Sequence, residues 1–309
     1  MSERSDASSL RRVDELYGRH RGADLYVVGT GASMRVFPLD FLRDKLTIGL
    51  NQAWKLVPTT YAITMRPELN VPEFIPGETP RPELIWITKH NKLTSDEQRA
   101  FVAQQQQRFF YFRTEDKSRP APPPIPSADG KGGVEPSQAG RVLDWVARPT
   151  EDYLYLWTSI SQSAVNLAAN MGAKNVILVG CDNCALEGNH HAHDQHTFWK
   201  GADPDRRYHQ YWEGLAEMRP LLRARGVTLM TMTPFLGLGQ VGEDFQRLCE
   251  ELAKPKLIVN EDITASQHGA LAEQQAARAQ QRAAAKAARP RGLAAWMARL
   301  AGKSRAAGE

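Results

Sequence analysis

The residues best suited to chemistry are four histidines and an aspartate between positions 190 and 196. Histidine and aspartate at such short spacing are residue types that bind zinc or iron. A metal site here would take its ligands from His191, His193, Asp194 and His196. The alternative is a solvated segment that contacts a substrate, and we favour it because His209 and His268 are poor candidates for further ligands. We therefore predict no metal site.

A second group of polar residues follows a predicted buried strand. Residues 176–179 are all apolar, as expected for a strand that is covered on both faces of a sheet. Gly180, Cys181, Asp182 and Asn183 come directly after it. Ligands bind at the carboxyl ends of the strands in an open parallel sheet, so Asp182 and Asn183 are candidate site residues. The alternative is that both simply form a turn.

A predicted helix leads into that strand. Thr158 or Ser159 can cap its first turn, because a side-chain hydroxyl accepts a hydrogen bond from the unpaired N–H groups there. Apolar residues then recur at helical spacing up to Met171, and Gly172 is placed to end the helix. This helix and the strand after it form the unit around which we expect the fold to be organised.

Polar turns also follow the first two predicted strands. The strand at 25–28 runs into Gly29, Thr30, Gly31, Ala32 and Ser33, here named the glycine turn. Such a turn lets backbone N–H groups approach an anion, and doubly wound folds place their phosphate loop after the first strand. A purely structural strand-to-helix turn is the alternative. The second strand, at 45–50, ends at Asn51 and Gln52.

Strands alternate with helical patterns along the chain, which predicts an α/β fold with a Rossmann-like, mainly parallel sheet flanked by helices. Further strands are expected at 61–65, 84–88, 109–112 and 227–232, with helices at 95–107 and 211–225. One domain is expected over 24–260, with a Pro- and Gly-rich loop at 114–141 and a small irregular lid at 184–208. A basic, Ala- and Arg-rich helical tail is expected at 261–309.

Charge and cysteine content exclude several classes of protein. The formal net charge is +4, but eight basic and two acidic residues after position 269 put +6 in the tail and leave −2 elsewhere. A slightly acidic body argues against binding of nucleic acid. Three cysteines without a signal peptide indicate a reducing compartment, so we expect a cytoplasmic protein in which the Cys181/Cys184 pair is structural. No apolar run approaches the roughly 18 residues that span a bilayer.

Four short motifs occur in a defined order, namely the glycine turn, Asn51-Gln52, Thr158-Ser159 and Gly180-Cys181-Asp182. This order resembles the bacterial sialyltransferases of glycosyltransferase family 42 and their wider relatives, which include motility-accessory flagellin-modifying proteins and an archaeal pterin diphosphokinase. The resemblance covers residues 24–234. It implies transfer of a sialic-acid-like or Kdo-like sugar from a CMP-activated donor to a saccharide or glycolipid acceptor, without a metal or other cofactor.

The resemblance also implies roles for individual residues. Residues that would contact the donor are Gly29, Thr30, Gly31, Ser33, Asn51, Gln52, Thr158, Ser159, Asp182, Asn183 and His190. His209 takes the place of the family's general base, a histidine that stands shortly before the helix leading into the last strand. The chain departs from the family at three positions. The family has an arginine at the position of Leu156, and it has lid tyrosines at the positions of Cys184 and His190.

Alternative functions and partners stay open at this point. Transfer of pyrophosphate from ATP, as in the pterin relative, predicts a magnesium requirement, and a non-catalytic nucleotide- or sugar-binding protein is a third reading. The lid is expected to close over the donor. Basic residues beside Trp296 in the tail predict peripheral contact with an anionic membrane, with a solvated tail as the alternative. A homo-oligomer is a further alternative to a single chain.

Overall fold

The computed structural model describes residues 11–115, 141–182, 184–186, 189–192, 204–232, 239–241 and 258–259. Its strands are β1 (Arg11–Arg12), β2 (Asp24–Val28), β3 (Thr47–Leu50), β4 (Tyr61–Thr64), β5 (Ile85–Lys89), β6 (Phe109–Phe112), β7 (Asn175–Val179), β8 (Cys184–Leu186), β9 (Thr228–Thr231), β10 (Gly239–Val241) and β11 (Ile258–Val259). Its α-helices are α1 (Pro67–Asn70), α2 (Asp96–Gln104), α3 (Asp144–Ala147), α4 (Ile160–Asn170) and α5 (Pro204–Ala224).

Nine strands form one sheet in the order β1-β6-β5-β4-β3-β2-β7-β9-β11. The first eight in this order are parallel, and β11 pairs antiparallel with β9 at the end of the sheet. The predicted α/β class with a mainly parallel sheet is therefore confirmed. β8 and β10 form a separate parallel pair.

Every strand predicted from the sequence is present, and each is a short run of mostly buried residues. Side chains on one face, such as Ile48, Ile63 and Leu178, pack with α4 and α5 in the largest core cluster. On the opposite face, Val28 and Val179 pack with the turns around residues 32–42. The same face carries Trp86, which packs among the residues of a third cluster with α2. The helices therefore cover both faces of the sheet, which is the layering that parallel strands require.

The central helix, α4, is buried along its whole length after Ile160. This burial departs from the single apolar stripe predicted from the sequence, because the polar residues of α4 are also inside. Two of them bond to the preceding segment: Asn166 accepts from the Tyr155 amide at 2.9 Å, and Ser163 donates to the Tyr155 carbonyl at 2.9 Å. Gly172, with a φ of 91°, follows the helix as predicted. These polar anchors hold the segment 154–159 against the helix.

The folded unit extends to the N-terminal side of Asp24, where the expected domain began. β1 pairs with β6, and Val13 and Leu16 are fully buried in the main core. The turn that follows donates backbone hydrogen bonds to the carbonyls at the end of α4, including one of 2.9 Å from Gly18 to Asn170. The last carbonyls of a helix have no partner within it, so this segment caps α4.

The expected irregular lid at 184–208 is partly regular. It begins with β8, and α5 starts at Pro204, earlier than the predicted start at 211. The second half of α5 is anchored by apolar side chains that lie in the main core, namely Trp212, Leu215, Met218 and Leu222. The first turns of the helix are polar, so the sequence did not predict its start.

Several expectations lie outside the described residues. The tail at 261–309, the loop over 116–140, and the residues His193, Asp194 and His196 are among them. Within the described parts of the chain, no helix combines the length and the apolar character needed to cross a membrane.

Candidate functional site

The order in which the chain adds strands to the sheet reverses between β2 and β7. From β2 the chain continues outward through β3, β4, β5 and β6, whereas β7 and β9 lie on the other side. β2 and β7 are paired in register, with Val28 opposite Val179, so the turns that follow them lie side by side. In open α/β sheets ligands bind in the crevice at such a switch point.

The two turns at this switch point are packed against each other. A Cβ atom on Gly29 would lie 2.8 Å from the Gly180 carbonyl carbon, and one on Gly31 would lie 2.7 Å from the Gly180 oxygen. Gly180 itself has a φ of 64°, which favours glycine. The glycines of the G-x-G motif are thus required by the close approach of two turns.

Asp182 joins the two turns through Ser33. Its carboxylate accepts one hydrogen bond of 2.8 Å from the Ser33 amide and another of 2.5 Å from the Ser33 hydroxyl. Both residues are buried, with Asp182 only 2% exposed. Hydrogen bonds to a buried carboxylate are stronger than neutral ones, so this contact holds the two turns together at the switch point.

Internal bonds also occupy most N–H groups of the glycine turn. Gly29 donates to Val179 at 2.8 Å, Gly31 donates to Gly180 at 2.8 Å, and Ser33 donates to Asp182. Within the described residues, the N–H group of Thr30 has no acceptor. An anion at this turn would therefore meet one available N–H group rather than a complete cradle.

A short segment from the expected lid lies against the glycine turn. His191 forms a bridge with Gly31, and its Nδ1 is 3.2 Å from the Thr30 hydroxyl. The Ala192 amide donates to the Thr30 carbonyl at 2.9 Å. His190, the residue expected to contact the donor, is half-buried beside this contact. The structure thus brings a histidine to the switch point, and it is His191 that touches the turn.

Asn51 and Gln52 lie at the neighbouring strand end and have different contacts. Asn51 accepts a 3.1 Å hydrogen bond from Thr64, and its backbone is in the left-handed region with a φ of 52°. Gln52 donates to the Leu69 carbonyl at 2.7 Å, which ties it to α1. Asn51 is therefore the better placed of the two for a ligand, and Gln52 supports the local fold.

The Thr158-Ser159 pair precedes α4 as predicted, and its two hydroxyls have different partners. Ser159 is the N-cap: its oxygen accepts from the Ser161 amide at 3.2 Å, and the Gln162 side chain accepts from the Ser159 amide in return. The Thr158 hydroxyl is buried and has no partner within the part of the chain that the structure describes. Because α4 leads into β7, its first turn lies at the carboxyl edge of the sheet. Thr158 can therefore offer a hydrogen bond there, whereas Ser159 is used by the helix.

His209 lies inside α5, not before it as the resemblance implied, because α5 already begins at Pro204. The structure describes its backbone only, and Asn183 lies outside the described residues. Two residues further along α5, the Tyr211 carbonyl accepts a 3.3 Å hydrogen bond from Gln162 of α4. Gly214 permits this approach, since a Cβ there would lie 2.6 Å from the Gln162 side-chain carbon. The backbone around His209 is thus held near the first turn of α4.

The chain matches no protein-family model. Comparison with the curated proteins and with the solved structures gives no match either. Functional inference therefore depends on this geometry and on the order of the four motifs.

Cys181 is buried beside the site, and its thiol has low reactivity. Burial, followed by the neighbouring Asp182 charge, raises the pKa of its thiol to about 12. A thiol with a raised pKa is a poor nucleophile, because the thiolate is the reactive form. This agrees with the structural role predicted for Cys181, whereas the Cys184 side chain lies outside the described atoms. Among the residues described, no three His, Cys, Asp or Glu side chains form a metal-binding group.

Sequence reasoning missed two buried residues that contact Asn51. Thr64 ends β4 and Asn70 ends α1, and both are almost fully buried. The sequence places Thr64 inside the strand predicted at 61–65, one residue before its end, and this nearness to a strand end is the available signal. The contact with Asn70 depends on the fold.

Proposed function

We propose that this protein is a glycosyltransferase that transfers a sialic-acid-like or Kdo-like sugar from a CMP-activated donor to a saccharide acceptor. The observation that carries the proposal is the meeting of the glycine turn and Asp182 at the β2–β7 switch point, with Asn51 at the next strand end. A crevice at a switch point is the usual nucleotide site of open α/β sheets.

The donor would lie across this edge of the sheet. Thr30 offers a backbone N–H group, Asn51 offers a side-chain amide, and Thr158 offers a hydroxyl with no other partner among the described residues. These groups are neutral hydrogen-bonding groups of the kinds that bind phosphate and sugar oxygens. Asp182 would form the floor, because both of its carboxylate oxygens accept hydrogen bonds from Ser33 of the glycine turn.

The general base in this proposal is His209. The acceptor hydroxyl would attack the anomeric carbon as the bond to CMP breaks, and the imidazole would accept the hydroxyl proton. An unperturbed imidazole pKa near 6.5 suits a base at neutral pH. The contact between His191 and Thr30 keeps the described part of the lid over the glycine turn, where exclusion of water would favour transfer over hydrolysis.

Calorimetry with CMP, CDP, UDP and ATP, each with and without magnesium, tests the nucleotide assignment. We expect CMP to bind without magnesium, and Asn51→Ala to weaken binding roughly tenfold, as for loss of a hydrogen bond to a charged group. Asn175→Ala is the matched control, because Asn175 lies at the amino end of β7. Binding of ATP with magnesium in place of CMP would replace this proposal with pyrophosphoryl transfer.

Release of CMP from CMP-sialic acid and CMP-Kdo, with a saccharide acceptor present, tests the chemistry. His209→Ala should lower turnover roughly 10²–10⁴-fold while CMP binding persists. His20→Ala, at the opposite edge of the sheet, should leave turnover unchanged. If CMP binds but neither donor is consumed by the wild-type protein, the non-catalytic reading is correct. Equal turnover in His209→Ala would remove His209 from the mechanism.

A further inference from the structure

Asn51 is the end point of a hydrogen-bond chain that starts at the backbone of Arg66. The Arg66 carbonyl accepts from the Asn70 side chain at 2.8 Å, so the Asn70 atom facing it must be the nitrogen. The same nitrogen is 2.8 Å from the Thr64 hydroxyl oxygen. The Arg66 amide also donates to that oxygen, at 2.9 Å.

These contacts decide the direction of the next bond. A threonine hydroxyl has two acceptor positions and one proton. The Asn70 side chain and the Arg66 amide fill both acceptor positions of Thr64. Its proton therefore goes to Asn51, at 3.1 Å, and the Asn51 atom that faces Thr64 must be the oxygen. The orientation of the Asn51 amide is thus set by two backbone groups of Arg66, although oxygen and nitrogen look alike in most structures.

The three side chains of this hydrogen-bond chain differ in burial. Thr64 is fully buried and Asn70 is 6% exposed, whereas Asn51 is half-buried. The Asn51 NH₂ group has no acceptor among the described residues, and its backbone φ of 52° is uncommon for a residue other than glycine. A non-glycine residue in such a conformation at a strand end is typical of functional positions.

We infer that Thr64 and Asn70 are positioning residues that make Asn51 an obligatory hydrogen-bond donor to the ligand. The ligand group at this place must then be a hydrogen-bond acceptor, either a phosphate oxygen or a carbonyl or hydroxyl oxygen of the nucleoside. This inference rests on the proposed function, because it assigns a polarity to the donor site at the end of β3. The inference also predicts that a ligand with an N–H group facing the Asn51 NH₂ group binds poorly.

Asn51→Asp tests the polarity directly. A carboxylate still accepts from Thr64, so the network is kept, but the outward group changes from donor to acceptor. We expect CMP binding to weaken roughly 100-fold, because a donor is lost and a like charge is placed near the phosphate. Cytidine serves as the second probe. A smaller loss for cytidine assigns the contact to phosphate, and an equal loss assigns it to a nucleoside oxygen; either result supports the inference.

Thr64 variants test the positioning role. Thr64→Val removes the proton that fixes the Asn51 oxygen and should weaken CMP binding roughly threefold to tenfold, whereas Thr64→Ser keeps the hydroxyl and should bind within about twofold of wild type. Thr88→Val is the matched control: Thr88 is paired with Thr64 on the adjacent strand, is 3% exposed, and its hydroxyl has no partner within the described chain. It should leave binding unchanged.

The outcomes separate this inference from the proposed function. Undiminished CMP binding by Asn51→Asp, or equal losses in Thr88→Val and Thr64→Val, would overturn the inference and leave the nucleotide site in place. Inorganic pyrophosphate is the third probe. If CMP does not bind but pyrophosphate does, and Asn51→Asp abolishes that binding, the proposed function fails and the inference survives. If neither binds the wild-type protein, the inference also falls. Melting temperatures of all variants establish that each is folded.

Discussion

Two corners of the same sheet edge hold their polar residues in opposite ways. At the β2–β7 corner, the hydrogen bonds run between the two turns, and both carboxylate oxygens of Asp182 accept from Ser33. At the β3–β4 corner, the bonds run in one direction, from Arg66 through Thr64 to Asn51, and leave one side of the last amide for a ligand.

The comparison separates residues that join two turns from a residue whose amide is held from one side only. We expect a buried pair such as Asp182 and Ser33 to contribute mainly to stability, because its loss leaves buried polar groups unpaired. Under the proposed function, we expect Asn51 to contribute mainly to binding. A motif found in sequence can therefore mark a site without contacting the ligand.

The largest loss of stability is expected for Gly31→Ala at the β2–β7 corner. The added Cβ would meet the Asp182 carboxylate and lie 2.7 Å from the Gly180 oxygen, and neither can move without opening the paired turns. We expect a decrease of about 3 kcal/mol in the free energy of unfolding, measured by urea denaturation.

Gly77→Ala is the control for that experiment. Gly77 has a φ of 82° and nothing lies within 4 Å of its added Cβ, so only the backbone conformation is strained. Its loss should stay near 1–2 kcal/mol, as is usual for a left-handed residue other than glycine. Equal losses in the two variants would mean that the turns are not tightly packed.

The Asp182–Ser33 contact should show strong coupling in a double-mutant cycle. Asp182→Asn replaces a charged acceptor and should destabilise the protein by about 2 kcal/mol, and Ser33→Ala should cost about 1 kcal/mol. The loss in the double variant should be smaller than the sum of the single losses, because each change removes the same bond. Additive losses, again from urea denaturation, would contradict a direct energetic contact between Asp182 and Ser33.

The open corner should behave differently when Asn51 is changed to glycine. Glycine adopts a φ of 52° without strain, and this gain offsets the lost Thr64 bond and the added chain entropy, so stability should change by less than about 1 kcal/mol. CMP affinity should nevertheless fall roughly tenfold. A large loss of stability without any loss of affinity would reverse the roles assigned to the two corners.

The amino edge of the sheet provides a reference and the smallest expected effect. There, His20 lies 2.8 Å from the Tyr61 hydroxyl, and burial, followed by the Arg19 charge, lowers the pKa of His20 below its ordinary value of 6.5. The unfolded chain then binds the proton more readily, so stability is lost as the pH falls below 6.5 toward the lowered pKa. The melting temperature of wild type should fall relative to His20→Gln over this range. Parallel melting curves at every pH would show that His20 contributes nothing.

The sequence predicted the main strands because each is a short, apolar run bounded by turn residues. It also predicted that Asp182 would stand at a strand end beside the glycine turn, since parallel strands end at one edge. It did not predict β1, whose two arginines carry no apolar pattern, or the early start of α5, whose first turns are polar. Those elements depend on contacts with distant parts of the chain.

The partners of the site residues were also beyond the sequence. Gly29 and Gly31 are as typical of a phosphate loop as of a tightly packed turn. The structure shows the tight packing, because Gly180 lies against both residues. Nothing in the pattern indicates that Gln52 bonds to α1 while Asn51 bonds to Thr64. Adjacent residues of one type can take different roles because successive side chains leave the backbone in different directions.

The pairing of β2 with β7 also determines how early during synthesis of the chain the turns after these strands can meet. Ser33 and Asp182 are 149 positions apart in sequence, and the floor of the site forms only when both have been made. At about 5–20 residues per second, a ribosome needs on the order of ten seconds to cover that distance. During this interval the glycine turn lacks its partner turn, and β2 has an uncovered edge where β7 will pair. A ligand that needs both turns cannot assist folding before that point.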